Sequence, residues 1–321
     1  MGNSLPIRRQ MKSILFGRRG MPALSEELWL VHARSSIYDD VIRVCRWKAK
    51  TAGARYLCMR RLETAAFALL FACSPAVAAT SPWVETPGGD VRLIALPAKA
   101  DGTVRAMLDI RLHDGWKTYW RDPGGSGIPP SVAISGAELK AVGFPAPKRL
   151  GDQTNHYIGY DKPVRLPLTL TKPAGGAITA TVFLGVCKDI CIPVQAELTA
   201  DASAESFANP LEAMAISDAD ATLPHGAGNG FKPLSGRWAA DGKSISVRFE
   251  APAGDALPDV FLSGTSTFEF GAAGPVRRDG GVFIAEVPVL HKPKVFDLAK
   301  NPIKLTVRAG DKTMESPLAI E

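Results

Sequence analysis

After Thr80 the chain alternates apolar and polar residues with a period of two through most of its length. VRLIAL (91–96), VRAMLDIRLH (104–113), VRLPLTL (164–170), ITATVFLGV (178–186) and VQAELTA (194–200) follow this pattern. Such alternation puts every second side chain on one buried face and predicts β-strands. Gly and Pro clusters, PGGD, DPGGSGIPP, PAPK and KPAGG, separate the runs and read as turns. The pattern changes over residues 203–230. AESFANPLEAMAISDAD has weak helical character, and LPHGAGNG reads as an exposed connector. Strand patterns then resume at KSISVRFE (243–250), VFLS (260–263), VFIAEVPV (282–289), IKLTVRA (303–309) and MESPLAI (314–320).

Many short strands at this spacing predict an all-β protein of antiparallel sandwiches. A length of 321 residues accommodates two of them. The expected organisation is a β-sandwich over 80–203, a partly helical linker over 204–230, and a second, smaller β-sandwich over 231–321.

Charge changes the picture only at the N-terminus. Residues 1–79 hold 13 Lys and Arg against 5 Asp and Glu, whereas residues 80–321 hold 25 against 27. The basic excess is confined to the first segment, which argues against nucleic-acid binding by the rest. From Met59 the chain reads MRRLETAAFALLFACSPAVAAT. Arg60 and Arg61 make a basic start, Leu62 to Cys73 a short apolar stretch, and Ala76-Val77-Ala78 a small-residue cleavage site. Residues 59–79 are therefore expected to be a secretory signal peptide. A second reading takes Leu70-Phe71-Ala72-Cys73 as a loose lipobox with Cys73 lipidated. Residues 1–58, Arg-rich and without a strand or helix pattern, read as an upstream leader or as a start assigned too early. Export implies an oxidising compartment, hence a periplasmic protein in which disulfides persist.

Removing the signal leaves two of the five cysteines, Cys187 and Cys191, in GVCKDICIPV. Residues four apart on an extended strand lie about 13 Å apart, and a disulfide requires Cα atoms within about 7 Å. If they pair, Lys188-Asp189-Ile190 must turn, which places the pair at a strand–turn–strand corner. Three roles compete: staple, metal ligands, or electron exchange. A five-residue loop supplies roughly 2 kcal/mol by chain entropy, against roughly 4.7 for a hundred-residue loop, so a staple is the weaker explanation. Two thiolates suit Cu(I) or zinc, but a structural zinc site takes four ligands. His113, His156, His225 and His291 stand at no short ligand spacing from the pair. Exchange needs one accessible thiolate and a second thiol to resolve the mixed disulfide, which a tight CxxxC provides. Lys188 favours a thiolate and Asp189 opposes it.

Two further stretches stand out. In GWKTYWRDPGGSGIPP (115–130), Trp116, Tyr119 and Trp120 read as aromatic core ahead of a turn, and neither Arg121 nor Asp122 has a partner that marks hydrolytic chemistry. GxSxG and HExxH are both absent. In NHYIGYDKPVRLPLTL (155–170), Tyr157 and Tyr160 read as part of a polar loop. That loop is either an ordinary turn with surface tyrosines or a cover over the cysteine pair.

Together, GWKTYWRDPGGSGIPP, GYDKPVRLPL and FLGVCKDICIPVQAEL resemble the N-terminal periplasmic domain of the thiol:disulfide interchange protein DsbD, closer to its ScsB-like variant. The resemblance covers residues 83–203 and extends loosely over 231–321. It implies an immunoglobulin-like β-sandwich with an inserted catalytic subdomain and no cofactor. It implies a protein-disulfide reductase component, fed by a membrane-embedded electron donor of the DsbD/CcdA type. The electrons would pass to periplasmic thioredoxin-like or disulfide isomerase proteins, in cytochrome c biogenesis or copper stress. It casts Cys191 as the residue that forms mixed disulfides, Cys187 as the resolving residue, and Tyr157, Tyr160 and Asp161 as a cap that contacts partners.

Two departures qualify it. Three residues separate the cysteines here, against five in the enterobacterial pattern. The full-length relatives continue into a transmembrane domain, whereas the sequence stops at Glu321, so the expected donor is a separate membrane protein. The alternative expectation is a non-catalytic Cu(I)-binding or partner-docking module, with the cysteines as ligands or a structural disulfide.

Overall fold

The computed structural model describes residues 79–321, apart from 126, 152–155, 172–175, 204–208, 255 and 266. The segment 1–58, the expected signal peptide up to its last residue, and Cys73 lie outside the described residues.

In chain order the first strands are β1 (Val84–Thr86), β2 (Gly89–Ala95), β3 (Thr103–Leu112), β4 (Lys117–Tyr119), β5 (Ser131–Ser135) and β6 (Leu139–Val142). They are followed by β7 (Lys148–Gly151), β8 (His156–Tyr160), β9 (Val164–Thr171), β10 (Ala177–Cys187) and β11 (Cys191–Asp201). Helix α1 (Pro210–Ala221) precedes β12 (Lys232–Trp238), β13 (Ser244–Glu250), β14 (Asp259–Ser263) and β15 (Glu269–Phe270). The last strands are β16 (Arg277–Asp279), β17 (Val282–His291), β18 (Lys304–Ala309) and β19 (Lys312–Pro317).

The first eleven strands make two facing antiparallel sheets, β1-β2-β3-β9-β6 and β11-β10-β4-β8-β7, with β5 added along β10. Alternation explains their faces. In β10, Ile178, Ala180, Val182, Leu184 and Val186 enter the shared core; in β3, Val104, Ala106, Leu108 and Ile110 do the same from the opposite sheet. The outward residues of β11, Gln195, Glu197 and Thr199, are exposed. Ile94 and Met107 break the rule by being apolar on the outer face, and α1 covers them with Ile216 and Ala219. Asn209 caps α1 by accepting the Leu211 N–H at 3.0 Å, and Pro210, which lacks a donor, fits the first turn. The helical segment is therefore packed on the first sandwich. The connector 223–230 is largely exposed, as its composition predicts, and its His225 bonds the backbone of β19.

The remaining strands form the sheets β12-β13-β17-β15, with β16 on β17, and β14-β18-β19. Ile245, Val247, Phe249, Val260, Phe283, Leu305 and Met314 fill the core of this second sandwich. Phe261, on β14, points the other way and is part of the first core. The all-β, two-sandwich expectation holds. One local reading is corrected: Tyr157 and Tyr160 lie in β8, paired with β4 and β7, and not in a loop. Gly159 makes that pairing possible, because a Cβ there would stand 2.2 Å from the Thr118 carbonyl oxygen.

Among the described residues, no helix is long and apolar enough to cross a membrane.

Candidate functional site

Strands β10 and β11 form one long hairpin, in register from Ala177 opposite Asp201 to Cys187 opposite Cys191. The chain reverses over Lys188–Ile190, where the Lys188 N–H donates to the Ile190 carbonyl at 3.2 Å. Cys187 and Cys191 are joined as a disulfide with their Cα atoms 4.2 Å apart. That separation belongs to the close kind of antiparallel pair, so the hairpin brings the sulfurs together without leaving strand geometry. Pro193 fits because β11 ends its sheet and the missing N–H disturbs no ladder beyond β10.

The two cysteines differ in access. Cys187 is 3 % exposed, while Cys191 is exposed together with the three loop residues. Ile190, at the tip, is a 69 % exposed apolar side chain. The buried side is closed by Tyr119 on β4. Its hydroxyl lies 2.8 Å from Cys187 Sγ and 2.9 Å from Cys191 Sγ. Disulfide sulfurs carry no hydrogen, so the tyrosine is the donor, and its single proton serves one sulfur at a time. Burial, and then Tyr157 beside it, push the Tyr119 hydroxyl above its ordinary pKa, so it stays protonated. Register sets the position of β4: Val186 pairs Thr118 and Cys187 pairs Lys117. Thr118 Oγ1 donates to the Gly185 carbonyl at 2.8 Å.

Tyr157 packs edge-on against Tyr119, ring centres 5.2 Å apart, with the Lys117 ammonium 5.9 Å from its ring centre. Tyr160 is placed elsewhere. Three residues along a strand reverse the side-chain direction, so Tyr160 faces the core while Tyr157 faces the site. Its buried hydroxyl donates to the Pro145 carbonyl at 2.8 Å, and burial drives its pKa well up. Asp161 pairs with Lys148 at 2.8 Å, and that hydrogen bond holds its carboxyl below the ordinary range. Of the three expected cap residues, the structure brings one, Tyr157, to the sulfurs' immediate neighbour.

Sequence reasoning missed Tyr119 as a site residue, reading it as plain core. It is core, at 1 % exposure, but it carries a hydroxyl that a buried position obliges to find a partner. Among the described residues, no group of three His, Cys, Asp or Glu side chains is arranged to hold a metal ion.

A two-sheet sandwich whose longest hairpin closes on a disulfide between one buried and one exposed cysteine has a geometry suited to thiol–disulfide exchange. Residues 90–203 match the family described as thiol:disulfide interchange protein DsbD, N-terminal, and this part of the chain is a DsbD N-terminal-like domain. Residues 222–321 match a domain of unknown function, DUF8393. Among solved structures, the N-terminal periplasmic domain of ScsB from Proteus mirabilis aligns over 75% of this chain and 99% of its own, at 21% identity and a TM-score of 0.62. That likeness is one of fold. The Yersinia pseudotuberculosis adhesin InvE aligns over 74% of this chain and 62% of its own at 11% identity, and its TM-score of 0.16 carries no structural weight. No curated protein matches the sequence.

Proposed function

We propose that this chain is an exported, periplasmic disulfide reductase component that cycles Cys187 and Cys191 between dithiol and disulfide. Residues 59–79 serve as its signal peptide. A separate membrane-embedded donor of the DsbD/CcdA type reduces the pair, and the pair reduces periplasmic thioredoxin-like or disulfide isomerase proteins. Separate family matches over 90–203 and 222–321 support a division into a redox sandwich (80–203), a linker (204–230) and a second sandwich (231–321).

The observation that carries the proposal is the unequal exposure of the two cysteines, whose sulfurs share one buried hydroxyl. In the reduced state the Cys191 thiolate, open to solvent, attacks a partner disulfide. A Cys191–partner bond forms, and one partner sulfur leaves as a thiolate. The sheltered Cys187 thiolate then attacks Cys191 Sγ, restores the internal disulfide and releases the second partner sulfur. Two electrons pass to the partner, whose two sulfurs take up protons from solvent. Tyr119, neutral throughout, donates its hydrogen bond to whichever sulfur carries negative charge, and a charge-assisted bond is stronger than the one it makes to a disulfide. Tyr157 covers Tyr119, while Tyr160 and Asp161 fix the strand end that carries it.

Trapping tests the proposal. The reduced Cys187→Ala chain, mixed with an oxidised thioredoxin-fold protein, should accumulate a mixed disulfide through Cys191, visible as a mass shift that dithiothreitol removes. Cys191→Ala should capture far less, because Cys187 is buried. Failure of Cys187→Ala to trap such a protein would overturn the relay.

A further inference from the structure

The three residues that follow Tyr119 are each held by the second sandwich. Trp120, fully buried, sets its ring edge-on to Phe261 of β14 at 6.0 Å between centres. The Arg121 guanidinium forms an ion pair with Glu315 of β19, and its Nε donates to Ser263 Oγ at 3.2 Å. Buried Asp122 meets the backbone N–H of Phe270. Glu315 is itself fixed: it also accepts from Thr306 Oγ1 at 3.0 Å and Lys304 Nζ at 3.3 Å. Burial alone would raise its pKa, but the Arg121 charge and these bonds bring it below the ordinary range, so it is a standing anion.

On its other side the segment continues the pairing of β4 with β8, through backbone bonds from Trp120 N to Ile158 O at 3.0 Å and from Ile158 N to Pro123 O at 3.1 Å. β4 itself is just three residues long. A hydroxyl that must stay within hydrogen-bond reach of two sulfurs tolerates displacements well below 1 Å. β4 takes its register from β10 and β8, and the contacts of Trp120 and Arg121 with the second sandwich fix the chain where it leaves that short strand.

We infer that the second sandwich is the positioning element of the cysteine site: through Glu315 and Phe261 it anchors Arg121 and Trp120, and so holds the Tyr119 hydroxyl against Cys187 and Cys191. Glu315 and Phe261 are positioning residues, since neither touches a sulfur. This gives the domain of unknown function a task, and it rests on the exchange reading above.

The test is a double-mutant cycle in the full chain, reading the equilibrium constant of the Cys187/Cys191 pair against glutathione. Glu315→Gln should move that constant at least threefold, about 14 mV for a two-electron couple, in the same direction as Tyr119→Phe. In the Tyr119→Phe background the same substitution should move it less than 1.5-fold, because the hydroxyl through which it acts is gone. Phe261→Leu, which keeps an apolar side chain, repeats the cycle should Glu315→Gln fold poorly. An unchanged constant in both variants, with a wild-type pair that exchanges normally, overturns this inference alone. So does an equal shift with and without the Tyr119 hydroxyl, which marks a general structural effect. A wild-type pair that does not exchange with glutathione overturns the exchange reading, and this inference with it.

Discussion

The Tyr119 hydroxyl stands 2.8 Å from Cys187 Sγ, though 68 residues separate the two along the chain. The contact is a consequence of register. Lys117 pairs Cys187, so Tyr119 two residues on reaches back across the face of β10 at Gly185. Had position 185 a side chain, the ring would have no room.

That contact makes Tyr119→Phe informative. The substitution deletes one oxygen and leaves the ring. Hydrogen bonds to charged groups contribute about 1.5–3 kcal/mol, and the thiolate gains more from this one than the disulfide does. The reduced pair should therefore lose stability relative to the oxidised pair. At pH values where a cysteine is ionised, the expected change is about tenfold in the exchange constant, or about 30 mV toward a more reducing couple. The nucleophilic thiol's pKa should rise by about one unit. Equilibration with glutathione checks the first, and absorbance of the thiolate against pH, recorded on the reduced proteins, checks the second. An unchanged titration would mean that the hydroxyl is a spectator.

Gly185→Ala probes the same contact from the backbone side. A Cβ there would meet Ile128 Cβ at 2.8 Å and the Tyr119 ring at 2.8 and 2.9 Å. All are packed, so the ring must move. Overpacking of this kind costs about 1–3 kcal/mol, read by urea unfolding of the oxidised protein. The thiol pKa should shift in the same direction as in Tyr119→Phe. The control is Gly226→Ala, where an added Cβ has no neighbour within 4 Å; its effect should stay within about 0.5 kcal/mol.

The long strands were legible because they repeat. β3, β10 and β11 carry ten or eleven residues of alternation, enough for a period to declare itself. The corner at Lys188–Ile190 was legible from distance alone, since two paired cysteines four apart exclude a straight strand. β4 and β8 were not legible. With three and five residues they show little more than one repeat, and Gly159 in β8 looks like a breaker until its close approach to Thr118 explains it. The Tyr119 contact was hidden for the same reason, since it depends on which strand β4 pairs with. Arg121 looked idle in the sequence because its partner Glu315 lies 194 residues away. Tyr157 was singled out for its polar surroundings and does reach Tyr119, whereas Tyr160, chosen on the same ground, faces the core.

Asp122 gives the protein a pH dependence with a definite sign. Burial raises its pKa from 3.8 to about 7; the Phe270 and Gly124 N–H groups and the Arg121 charge oppose the rise, and Glu269 adds to it. Between these two values the folded state keeps a proton that the unfolded chain has released. Stability then falls as pH rises. The contribution of the neutral acid is fully present below about pH 4 and lost as pH passes through about 7. The slope approaches, at most, about 1.4 kcal/mol per pH unit in that window. Glu315, whose folded pKa is lowered, works in the opposite sense and only at acid pH, so a comparison with Asp122→Asn separates the two. Asparagine keeps an acceptor for the Phe270 N–H and does not titrate. Urea unfolding of the oxidised proteins between pH 4 and pH 8 should show wild type losing stability relative to Asp122→Asn up to about pH 7, then running parallel. Parallel curves throughout would mean that water reaches the carboxylate and that the contact between the sandwiches at Phe270 is open.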